Sequence, residues 1–396
     1  MSAFHAEQDD VRVKLVEASD RDDLLARLST GFAGGNPPDL FLLNYPFYGQ
    51  FAARDLLEPI EERLASSDAL EPDDFYEPAL EAFRRDGEQI CLPQNISSLV
   101  VYYNKDLFAK AGVEEPATGW TWREFVDAVV DLTDRDAGVY GLGVEPSIIR
   151  VAPFVWSNGG DVVHEDESGF ALDSAPARDA LGRFLLLRRQ YGVIPSEEEV
   201  ESEDDETRFQ RGRLAMILQS RRATPTFRTI ESFERDVAPL PVFERPAGIL
   251  HSDAYCMTEQ SENHDAVWDF MEFALGPEGQ RIVARTGRTV PSLMDVAASR
   301  AFLDPRAKPA SARVFLDGIG AIRRVPTIST WPEIEDAAEP ILETALYEAA
   351  ETDPEALGSP SRATSTCGRP CRASCTTRRA STVRARGRCS PRSRSR

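Results

Sequence analysis

Apolar and polar positions alternate along Val11-Arg-Val-Lys-Leu15, which predicts a strand with one face more buried than the other. Leu24, Leu25, Leu28 and Phe32 follow at helical spacing behind Ser19 and Asp22, a capping-box pair, so a helix follows the strand. Gly34-Gly-Asn-Pro-Pro38 breaks that helix. The nearly all-apolar run Asp39-Leu-Phe-Leu-Leu-Asn44 then reads as a strand covered on both faces of a parallel sheet. Further along, Ser98 to Tyr103 predicts a strand and Lys105 to Ala111 a helix. Thr121-Trp-Arg-Glu124 caps a helix carrying Phe125, Val129 and Leu132. Pro176 to Tyr191 predicts a long helix, Leu214 to Leu218 a short buried strand, and Ala266, Val267, Phe270, Met271 and Ala274 another helix. Strands alternating with helices argue an α/β fold with parallel sheets.

At 396 residues the chain has room for two domains of ordinary size. The net charge of -21 is unevenly spread, because residues 359–396 contain eleven Arg and no Asp or Glu. The body is therefore strongly acidic, which disfavours nucleic acid as a partner. No window approaches the roughly 18 apolar residues of a membrane span, and the opening residues show no basic start followed by an apolar run, so no signal peptide is read in the chain as given. Eight acids between Glu197 and Glu206 read as a solvated face, since no glycine-punctuated calcium spacing accompanies them. Cys91 and Cys256 lie far apart without a neighbouring His and are expected to be buried free thiols rather than a disulfide. Cys367, Cys371, Cys375 and Cys389 lack paired CxxC spacing, so no metal site is expected there. After Gly358 apolar periodicity stops and Arg, Ser, Thr, Cys and Pro dominate. Residues 358–396 read as a disordered basic tail, the product of a shifted reading frame in GC-rich DNA, with an RNA-binding tail as the alternative.

An ordered series of segments carries a family resemblance. It comprises Pro38-Asp-Leu40, Phe51-Ala-Ala-Arg-Asp-Leu-Leu-Glu-Pro-Ile60, Leu92-Pro93, Val101-Tyr-Tyr-Asn-Lys-Asp-Leu-Phe108, Trp156-Ser-Asn-Gly-Gly-Asp161, Phe209-Gln-Arg-Gly-Arg-Leu-Ala-Met216, the stretch from Asp253 to Gln280, and Val290-Pro-Ser292. Together these resemble the family 1 extracellular solute-binding proteins, the maltose-binding-protein-like receptors of ABC importers. The resemblance implies a two-lobed, periplasmic-binding-protein-like (type II) α/β fold, each lobe a mostly parallel sheet flanked by helices, with the ligand held between lobes by hinge closure. It assigns residues 1–103 plus 260–305 to the first lobe and 104–259 plus 306–357 to the second. The family's opening strand and helix have no counterpart ahead of Phe4, so a sheet lacking its central strand is expected. Function follows as an extracytoplasmic, monomeric receptor for a sugar, oligosaccharide or polyol that delivers to an ABC permease, without cofactor or catalysis. A receptor feeding a sensor or chemoreceptor is an alternative. So is a carbohydrate-active enzyme, although no nucleophile elbow, P-loop, dinucleotide fingerprint or HExxH motif is present.

Sugars present apolar faces and a rim of hydroxyls, so their sites want aromatic platforms and a few fixed polar groups. Asn44, Tyr45 and Tyr48 are expected in a loop directly after a buried strand, and Asn95 and Ser97 lie before the first crossover between lobes. Arg221 and Arg222 follow the strand at 214–218, where the family often carries an aromatic; an Arg there suits vicinal hydroxyls or a carboxylate. His251 precedes the second crossover. The resemblance places Trp331 as a stacking aromatic, and Trp156 is read as ligand contact or core.

Overall fold

The computed structural model describes residues 1–167 and 169–348, so the tail and its four Cys lie outside the described residues. Capping and apolar spacing generate most helices where the sequence predicts them. Thr121 Oγ1 accepts the Glu124 N–H at 3.2 Å while the Glu124 carboxylate accepts the Thr121 N–H at 2.7 Å, a reciprocal cap worth about 1 kcal/mol. The helix it opens, Trp122–Asp131, buries Trp122, Phe125 and Val129. Helices Ala175–Arg189 and His264–Leu275 form as predicted, each with its apolar stripe inward. In the helix Arg21–Ala33 the cap is one residue later than predicted. Asp20 accepts the Asp23 N–H, and Asp23 accepts the Ser19 N–H, each at 2.9 Å.

The strands are β1 (Leu40–Asn44), β2 (Arg84–Arg85), β3 (Glu88–Gln89), β4 (Cys91–Pro93), β5 (Val100–Asn104), β6 (Tyr140–Gly143), β7 (Leu214–Gln219), β8 (Arg235–Ala238), β9 (Gly248–Ile249), β10 (Asp253–Met257) and β11 (Ile322–Arg323). They build a three-stranded sheet in the order β1-β10-β4, a four-stranded sheet in the order β6-β7-β5-β8, the hairpin β2–β3 and the short pair β9–β11. The expectation of mostly parallel sheets is corrected: among the strands of the described residues, only β6–β7 and β9–β11 pair in parallel. The reason is topological. The chain enters β5 straight from the first sheet, through 94–99, and enters β10 from the second, through 250–252. Each becomes an inner strand of its new sheet, antiparallel to both neighbours. An alternating strand–helix pattern does not report the direction in which such a strand is inserted.

β5, expected in the first lobe, thus pairs within the four-stranded sheet, and β10, expected in the second, within the three-stranded sheet. The helix Trp331–Tyr347 packs on 45–52 from one side and on 148–157 and 175–189 from the other, joining the two halves.

Four further expectations change. Residues 11–18 form no strand, and Leu15 and Val16 are 58 % and 66 % exposed, because alternation makes a strand only where a neighbour supplies ladder bonds. β1 is open on one face, with Leu42 37 % exposed. Cys91 and Cys256 face each other across β4 and β10 and form a disulfide; strand register brings together thiols that sequence separation hides. The acidic run folds into the helices Glu197–Ser202 and Asp205–Gln210, and two of its acids are inside. Glu203, with its side chain 7 % exposed, meets Arg208, Arg211 and Arg213. Asp205 is pushed up to about 7 by burial.

Candidate functional site

Ligands of open α/β sheets lie beyond the carboxyl ends of the strands. In this protein β1 ends at Asn44, β6 leads to Glu145 and Arg150, and β7 leads through Gln219 to Arg222. The two crossings run between these ends, paired to each other by Ser97 and His251, whose backbone N–H groups donate to each other's carbonyls at 2.8 and 2.9 Å.

Asp253 ties the first-sheet end to the crossings. Its carboxylate accepts from Asn44 Nδ2 and from Asn95 Nδ2, both at 2.9 Å, and Ser252 Oγ donates to the Asn95 carbonyl at 2.6 Å. On the opposite side Gln219 Nε2 donates to Glu206 at 2.9 Å, and Arg222 reaches both Gln219 and Glu206. Arg150 contacts Glu145 at 3.4 Å and Gln219 at 3.5 Å. Burial, then the positive charges of Arg150 and Arg222, push His251 down to about 3, so its imidazole is neutral and offers one donor and one acceptor.

The helix Trp331–Tyr347 adds acids. Burial raises the Glu335 carboxyl to about 7, although Trp331 Nε1 donates to it at 2.8 Å and the charge of Arg21 favours ionisation. Glu339 is raised as well, by burial and then by the charge of Glu145 across from it. Arg21 lies 5.3 Å over the Phe47 ring. Arg150, Arg21 and these two glutamates carried no motif in the sequence; only their convergence reveals them.

The structure divides the sequence-predicted residues. Asn44, Asn95, Ser97, His251 and Arg222 gather in the cluster just described. Arg221 does not. It is 1 % exposed and inserts between apolar rings, with its guanidinium 4.7 Å from the Phe302 centroid and 5.0 Å from Phe315. Tyr45 and Tyr48 are not in a loop but on the helix Tyr45–Ala52, buried against Phe83, with hydroxyls donating to the carbonyls of Val325 and Phe83 at 2.7 and 3.3 Å. A helix starting at the last strand residue turns an apolar-aromatic run into core. Trp331 has no exposed surface. Trp156, at the end of the helix Ile148–Ser157, is 3 % exposed and lies 5.0 Å beneath the Arg323 guanidinium, which pairs with Asp161. Gly159 just beyond it has φ +83, and a Cβ on Gly160 would stand 2.8 Å from the Ala177 nitrogen, so both glycines are needed for that turn. Trp156 and Tyr45 border a separate cavity of about 440 Å³ between the β2–β3 hairpin, residues 161–167 and residues 323–327, which none of the cluster residues lines.

Residues 1–281 match the family of bacterial extracellular solute-binding proteins. The chain belongs to that family. Among relatives of this solute-binding protein, the diacetylchitobiose-binding protein DasA of Streptomyces coelicolor is 21 % identical over 80 % of the chain and 73 % of its own length. An ABC substrate-binding protein of Listeria monocytogenes, solved with cycloalternan, superposes with a TM-score of 0.83 at 24 % identity, covering 90 % of this chain and 91 % of that one. UgpB of Mycobacterium tuberculosis, in complex with glycerophosphocholine, gives 0.78 at 19 % identity over 90 % of each chain. The fold of this solute-binding protein is accordingly the two-lobed type II fold, in a family of binding proteins rather than enzymes.

Proposed function

We propose that this protein captures a carbohydrate or related polyol between its lobes and delivers it, as an extracytoplasmic monomer, to the permease of an ABC importer. The first lobe carries the β1-β10-β4 sheet and the second the β6-β7-β5-β8 sheet, with the hinge at 94–99 and 250–252. What carries the reading is the meeting of three strand ends and both crossings at one polar cluster, because a ligand there touches each lobe and its hinge together. Closure draws its energy from contacts made better in the closed state. Relatives that take diacetylchitobiose and cycloalternan support a hydroxyl-rich solute.

Thermal-shift screening of mono- and oligosaccharides, polyols and their acids, followed by small-angle scattering with the best hit, tests this. Stabilisation accompanied by a smaller radius of gyration is the expected result. The absence of stabilisation by the whole panel would remove carbohydrate capture.

A further inference from the structure

Among the described residues four arginines are less than a tenth exposed: Arg150 at 8 %, Arg208 at 4 %, Arg221 at 1 % and Arg235 at 7 %. Three are compensated where they lie. Arg235 donates to the carbonyls of Ile230 and Arg228 at 2.7 and 2.9 Å. Arg208 donates to the Glu199 carbonyl at 2.7 Å beside the Glu203 carboxylate. Arg221 rests on two aromatic faces, which attract a cation, although its Nε and Nη1, like the Nε of Arg208, have no hydrogen-bond partner.

Arg150 lacks such compensation. Its Nε–H has no hydrogen-bond partner, and its two Nη2 contacts, at 3.4 and 3.5 Å, exceed the roughly 2.7–3.2 Å of a good N–H···O bond. Glu145, the carboxylate it meets, is 60 % exposed and therefore well screened. A buried guanidinium left this short of acceptors is costly unless something else supplies them. Arg222 stands in the same cluster, 51 % exposed, with its charge felt at His251 together with that of Arg150. Two guanidiniums from different strand ends, flanked by an imidazole that can donate, form a fork suited to paired anionic oxygens.

We propose that Arg150 and Arg222 recognise an anionic group, so that the solute is an acidic carbohydrate or polyol bearing a carboxylate or a phosphate ester. The proposal rests on the polar cluster being the solute site. Arg150 makes the selective contact, because its donors are directional and buried; Arg222, at the rim, swings from Glu206 toward the ligand.

Calorimetric titration of the full chain with glucuronate, galacturonate and glycerol 3-phosphate, each beside glucose, galactose or glycerol, tests it. One anionic member should bind about tenfold or more tighter than its uncharged counterpart, and added salt should weaken that binding. The carboxylate and phosphate arms distinguish the two sources of charge. Arg150→Gln should remove most of the anion preference and Arg150→Lys should keep part of it; if Arg150→Gln fails to fold, Arg222→Gln and the wild-type comparison decide. A neutral sugar bound as tightly as its acid, with Arg222→Gln without effect, would overturn anion recognition while leaving solute capture standing. Silence from every acid and every neutral sugar would instead overturn solute capture in this cluster, and this proposal with it.

Discussion

Cys91 on β4 and Cys256 on β10 stand directly opposite each other in antiparallel register, joined by a disulfide across 165 residues of sequence. The bond locks the central strand of the first sheet to its neighbour, at the end of the pair away from the two crossings.

Closing so long a loop restricts the unfolded chain, and such bonds typically contribute about 2–4 kcal/mol. The double variant Cys91→Ala/Cys256→Ala should therefore lose stability by that margin and unfold at lower urea, with a larger m-value because its unfolded chain is less compact. An unaltered midpoint would show that the bond adds nothing to the pairing of β4 and β10.

Adjacent arginines should respond in opposite ways. Arg221 is pushed down to about 10 by burial and makes no contact with the cluster, so Arg221→Met should leave ligand affinity unchanged and stability within about 1 kcal/mol or improved. Arg222→Gln should leave stability unchanged and weaken ligand binding. Loss of affinity in Arg221→Met would place it in the site after all; denaturation and titration of both variants supply the comparison.

Trp331 is fully buried with its N–H on Glu335, so removing the ring opens a core cavity. Trp331→Ala should cost about 3–5 kcal/mol, read as a fall in melting temperature, and Trp331→Phe clearly less. Unchanged melting with weakened binding would restore the ring to the ligand site.

Glu335 and Asp205 make stability depend on pH. Unfolded, they ionise near 4.5 and 3.8; folded, burial holds both near 7. The folded chain keeps protons in that window that the unfolded chain has lost, so their contribution is full below about pH 4 and disappears as pH rises through 7. His251 acts in reverse, because its folded value near 3 lies below the ordinary 6.5, and its contribution is lost as pH falls through that range. Glu335→Gln should therefore gain roughly 1–3 kcal/mol on wild type at about pH 8 and nothing at about pH 4. Parallel stability profiles for the two proteins between these pH values would mean that Glu335 does not titrate there.

Local signals carried the helices and the α/β class. Thr121 with Glu124, the stripe from Val267 to Ala274, and the apolar runs at 40–44 and 214–219 act over a few residues, so their consequences are legible without knowing the rest of the chain. The ordered motifs from Pro38 to Ser292 likewise pointed to the family. Strand direction, partner and register belong to the assembled sheets. They turned β5 and β10 antiparallel, joined Cys91 to Cys256, and left Val11 to Leu15 without a ladder. The same holds at the site. Asn44, Asn95, Ser97, His251 and Arg222 could be placed near strand ends and crossings from local pattern alone. Arg150 and Arg221 look alike in sequence, and their roles divide because one side chain is buried among long polar contacts and the other among aromatic rings. Burial and charge neighbours are sums over residues distant in the chain, and only tertiary packing sets them.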